Sequence, residues 1–203
     1  MRGGPGHRWL GLRLTLGLLL PGWPVVTGAA IDQQATPVAV CVVAPRVEAV
    51  NGIDALGIVP LPSPRLVVVE PLLELRIERP GQPLWQLRGS PEQPIRTPLD
   101  WPTVPIRADE LVLLQLRPLD AAADSFAHVH LAGGSRERME AAERLVQALG
   151  PSPAAWLRAF EAALDQGDVP LAWALLFHPG APPSDDLTAL RQEVIRRGCQ
   201  DSP

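Results

Sequence analysis

Along residues 72–78 the chain alternates: Leu73, Leu75 and Ile77 fall on one side of an extended strand, and Glu74, Arg76 and Glu78 on the other. Such a strand buries one face. Similar short runs rich in Val, Leu and Ile occur at 38–43, 66–70, 84–88, 111–117 and 126–131, each bounded by Pro, Gly or Asp, and they predict a string of β-strands. In 111–117, Val112, Leu114 and Leu116 share one face, while Leu111 and Leu113 lie on the other beside Gln115 and Arg117. That strand is placed nearer the centre of a sheet.

Prolines show where this pattern stops. Twelve of the 24 fall between Pro60 and Pro118, and 119–150 contains none. Proline has no N–H to give to a ladder, so 89–105 reads as an edge and a long loop. Six or seven short strands in the stretch 30–133 suit an antiparallel immunoglobulin-like or fibronectin-like β-sandwich, with 107–131 as its last hairpin. Trp85 and Trp101 are then its expected large core residues.

After Gly133 and Gly134 the period changes to three and four. Ser135 is placed to cap a helix carrying Met139, Ala142, Leu145, Val146 and Leu149, which Gly150 and Pro151 end. A second helix starts at Ser152 with Pro153 in its first turn, carries Trp156, Leu157, Phe160 and Leu164, and stops at Gly167. Asp168 caps a short third helix, apolar nearly all round from Leu171 to Phe177. Ser184 caps a fourth, with Asp185 and Asp186 at its start and Arg191, Arg196 and Arg197 toward its end, as the helix dipole favours. The stretch 156–177 resembles one hairpin of a tetratricopeptide-type repeat, but no second copy follows at a fixed period. The expected class is therefore α+β, a sandwich at 30–133 followed by a small bundle of about four helices at 134–203.

The first residues read as an address. Arg2, His7, Arg8 and Arg13 precede a mostly apolar run from 14 to 26, which ends at Thr27, Gly28, Ala29 and Ala30. That is a charged region, a short apolar region and a small-residue cleavage site, the grammar of a secretory signal at 1–29. The run contains Pro21, Gly22 and Pro24, and it is shorter than the ~20 residues a membrane-spanning helix needs. An uncleaved membrane anchor is the alternative. Cleavage after Ala29 removes three arginines and no acid, and so takes the formal net charge from -4 to -7. The expected location is periplasmic or secreted, where a disulfide between Cys41 and Cys199 is permitted.

Composition then narrows the chemistry. All 18 basic residues are arginine, set against 22 acids, so there is no cationic surplus for a nucleic-acid backbone. The absence of lysine removes Schiff-base and P-loop chemistry. No serine sits in a G-x-S-x-G elbow, and no C-x-x-C pair or calcium loop occurs. Carboxylate pairs at Asp109 with Glu110 and Asp185 with Asp186 have structural readings. His128 and His130 are the candidate metal ligands, since residues two apart on a strand point the same way. Asp120, Asp124 and His178 are the further ligands on offer. Arg76, Arg88 and Arg117 form a salt-bridged surface if they share a face with Glu74 and Glu78, or a carboxylate or acidic-glycan site if they converge without acids.

With no coherent catalytic set and no cofactor motif, the residues favour a non-catalytic interaction or assembly module of the cell envelope, partnered by an envelope protein or glycan. The alternative is a metal-dependent hydrolase using His128 and His130.

Overall fold

The alternating run becomes strand Leu72–Glu78, in which Leu75 and Ile77 are fully buried. It belongs to a computed structural model that describes residues 38–50 and 54–198. Among the described residues eight strands precede four helices. In chain order the strands are β1 (Val42–Ala44), β2 (Glu48–Val50), β3 (Asp54–Val59), β4 (Val67–Val68), β5 (Leu72–Glu78), β6 (Trp85–Arg88), β7 (Leu111–Pro118) and β8 (Ala127–Gly133). The helices are α1 (Arg136–Leu149), α2 (Pro153–Asp165), α3 (Val169–Leu176) and α4 (Asp185–Arg197).

The expected antiparallel immunoglobulin-like or fibronectin-like sandwich is not what forms. Six strands make one mixed sheet in the order β2-β3-β8-β7-β5-β6, and β3 runs parallel to β8 with Asp54 opposite His128. β1 and β4 make a separate two-stranded sheet. Alternation along a strand decides which side chains are buried; it carries no information on which strand lies alongside. The hairpin of β2 and β3 was also not anticipated, although Asn51-Gly52 is a strong turn dipeptide between the two runs.

Two apolar clusters explain the layering. The inner face of the six-stranded sheet, with Leu75, Ile77, Val112, Leu114, Leu116, Val129 and Leu131, packs with Val42 of β1 and Val68 of β4. The loop after β6 adds Ile95, which exchanges two backbone hydrogen bonds with Leu72, and Leu99, which does the same with Leu66. Trp85 and Trp101 pack only half-buried at the margin of this core. Val43, Ala44 and Val67 belong instead to the second cluster, with Trp156, Phe160, Ala172, Leu175, Leu176 and Leu187 of the helices. The two-stranded sheet is thus buried on both sides, and all five of its residues are apolar.

The helices begin where short polar side chains can accept from their first free amides. Ser135 accepts from Arg138, Asp168 from Leu171 at 3.0 Å and Ser184 from Leu187 at 3.1 Å. Ser152 makes no such bond, and Pro153 begins α2 with no N–H to satisfy.

Candidate functional site

The outer face of the six-stranded sheet, opposite the core, is fixed row by row by the strand register. One end is apolar, with Ile58, Ala132 and Leu111 side by side on β3, β8 and β7. The next row is Glu48, Leu56, His130, Leu113 and Glu78, and the third is Val50, Asp54, His128, Gln115, Arg76 and Gln86. The last is Arg117, Glu74 and Arg88. Leu56, Ile58 and Leu111 are 40%, 42% and 50% exposed, so no described element covers that end. Within four rows the face passes from aliphatic to cationic.

Electrostatics are concentrated at the cationic end. Glu74 is buried and accepts from Arg76 Nε at 2.8 Å, Arg88 Nε at 3.4 Å and Arg117 Nη2 at 3.2 Å. Burial alone would raise its carboxyl pKa. The hydrogen bond from Arg76 and the charges of Arg76, Arg88 and Arg117 outweigh burial and hold it below the ordinary value, so Glu74 stays ionised. Phe126 lies against two of these groups, its ring centre 4.3 Å from the Arg76 guanidinium carbon and 6.0 Å from that of Arg117. The arginines do share a face with acids, but three of them converge on one carboxylate.

His128 and His130 lie in the middle of the same face. The parallel pairing brings Asp54 between them, with Oδ1 3.9 Å from His128 Nδ1 and Oδ2 3.9 Å from His130 Nε2. Sequence alone does not nominate Asp54; the Asn51-Gly52 dipeptide is the sequence signal that points to a strand beginning there. Among the described residues no group of three or more His, Cys, Asp or Glu side chains is arranged to hold a metal ion. His178 is remote from the pair in chain and element, packed against Trp156 of α2 with ring centres 5.2 Å apart and planes tilted by 32°. Its imidazole pKa is lowered, first by burial and then by the charge of Arg65.

The other polar candidates have structural partners. Glu110 is locked to Arg79, and Asp185 and Asp186 occupy the first turn of α4. Cys41 lies just before β1, and its N–H donates to Glu70 Oε2 at 2.8 Å. Cys199 and the export-signal segment 1–29 lie outside the described residues. An open groove of about 770 Å³ runs beside the start of β7 and α1, lined by Pro62, Pro80, Ile106, Arg107, Met139 and Glu143 among others. It contains no histidine, cysteine or serine that could act as a nucleophile.

No protein-family profile matches this chain, and no curated protein or solved structure shows significant similarity to it.

Proposed function

We propose that this chain is a non-catalytic interaction or assembly module that works outside the cytoplasm and contacts an envelope protein or glycan through the outer face of its six-stranded sheet. The observation that carries this reading is the open end of that face, where Leu56, Ile58 and Leu111 remain exposed at the opposite end from the Arg117, Glu74 and Arg88 row. Scattered exposed leucines need no explanation, but neighbours on adjacent strands form a patch of the kind that partners cover. The arginine-leading, leucine-rich start of the chain supports export.

The test uses the full chain expressed with its own N-terminus. Mass spectrometry of the purified protein should show a start at Ala30, and crosslinking in envelope extracts should give one reproducible adduct. Ile58→Glu should abolish that adduct, whereas Leu164→Glu, an exposed position on α2, should preserve it. An adduct equally strong with Ile58→Glu, or none from wild type, overturns the contact-face reading.

A second reading keeps His128 and His130 as metal ligands of a hydrolase. The observation in its favour is Asp54, whose carboxylate approaches both imidazoles.

A further inference from the structure

Arg76, Arg88 and Arg117 all make their ion pairs with Glu74, and no other carboxylate among the described residues lies within ion-pair range of any of them. Three positive charges therefore share one negative charge. The other acids on this face, Glu48, Asp54 and Glu78, make no ion pair with these arginines; Asp54 faces His128 and His130, and Glu78 accepts from Gln115 Nε2 at 3.4 Å. Together the three guanidiniums make four side-chain hydrogen bonds to the protein, three to Glu74 and one from Arg88 to Gln86. Each guanidinium carries five N–H donors, so most of their donor capacity is unused. Arg117 Nε is buried without an acceptor.

The cluster is also pre-positioned. Glu74 is only 5% exposed at its side chain and holds the arginines from beneath, while Phe126 supports the guanidiniums of Arg76 and Arg117. Ordering is a large part of what recruiting an arginine costs, and here much of it is already met. Arg88, 65% exposed on the edge strand β6, is the accessible member.

We propose that Arg76, Arg88 and Arg117 form a carboxylate-binding site for an acidic side chain of a partner polypeptide. This rests on the outer sheet face being the contact surface. Planar guanidiniums match a carboxylate with paired N–H groups. The aliphatic row of Ile58, Ala132 and Leu111 on the same face selects a polypeptide, which can present apolar and acidic side chains together, over a uniformly polar glycan.

An oligoglutamate peptide is the probe, with an oligouronate and inorganic phosphate as competitors. At low ionic strength the peptide should bind and shift the Nε–H NMR signals of Arg88 and Arg76, and added salt should weaken it. Arg88→Gln should reduce its affinity on the order of tenfold, the loss expected for charge-assisted hydrogen bonds. The edge position of Arg88 should leave thermal stability unchanged.

Absence of peptide binding, unchanged affinity in Arg88→Gln, or tighter binding of phosphate overturns the carboxylate assignment, and tighter binding of the oligouronate, itself a polycarboxylate, overturns the polypeptide partner. If that happens while Ile58→Glu still abolishes the envelope adduct, the contact face stands without it. If Ile58→Glu leaves the adduct intact, the contact face itself falls and takes the acidic-partner assignment with it, even where the peptide binds.

Discussion

Arg79 and Glu110 form a buried two-point ion pair, with Nη2 2.7 Å from Oε2 and Nε 3.0 Å from Oε1. Arg79 follows the end of β5 and also donates to the carbonyls of Val104 at 2.6 Å and Pro105 at 3.0 Å. One side chain thereby fastens the proline-rich loop after β6 to the end of β5. Glu110 returns the restraint by accepting from the Arg107 backbone N–H at 2.8 Å.

Removing one partner of a buried pair strands the other, so Glu110→Gln should destabilise the protein by about 3–5 kcal/mol in urea unfolding. The hydrogen bonds from Arg79 hold the Glu110 carboxyl down to about 2, against burial, from an ordinary 4.5. Because the folded-state value is lowered, this stabilisation is complete above pH ~4.5 and fades as pH falls toward ~2. The difference in unfolding free energy between wild type and Glu110→Gln should shrink across that window. A difference independent of pH would show that the pair does not act through its charge.

Gly133 closes β8 against the same turn. Its N–H donates to the Glu110 carbonyl at 2.8 Å, and a Cβ there would lie 2.0 Å from the carbonyl oxygen of Arg107. Gly133→Ala must push the turn away, and a cost of about 2 kcal/mol or more is expected. Thermal unfolding with a Tm equal to wild type would contradict this close approach.

Elemental analysis of protein purified without chelators separates the binding module from the hydrolase. The contact-face reading expects no stoichiometric zinc, iron or manganese, and a Tm that added zinc does not raise. A stoichiometric metal lost in both Asp54→Ala and His130→Ala would move these residues to a metal centre.

Gly198 lies against β1, since a Cβ on it would be 3.5 Å from Val43 Cγ2, and the next residue is Cys199. A Cys41–Cys199 bond would close nearly the whole folded chain and add up to about 5 kcal/mol on a chain-entropy estimate. Alkylation of unfolded, unreduced protein should then label neither thiol, and Cys199→Ser should lower Tm. Two labelled thiols would exclude the bond.

Local chemistry was the legible part of this fold. Ser135, Asp168 and Ser184 announce their helices because a cap acts within three residues, and Glu74 to Glu78 announces β5 because facing depends only on alternation, whereas a register shift before Glu74 buries Leu72 in the core in place of Leu73. Asp54 beside His128 is a different kind of fact. It depends on β3 pairing with a strand more than seventy residues later in the chain, a choice made by the packing of the whole sheet. The arginine cluster lay between these extremes: Glu74 and Arg76 were placed on one face, but the convergence of Arg88 and Arg117 on the same carboxylate required the β6-β5-β7 register.

β8 sits between β3 and β7 although it is the last strand made, so the β2–β3 hairpin has no ladder to the rest of the six-stranded sheet until residues 127–133 arrive. A nascent chain keeps the β3 edge unpaired from residue 59 until β8 begins at residue 127, and closure over so long a separation slows folding. If the chain is exported as proposed, late arrival of β8 keeps its body extensible until that keystone strand has crossed.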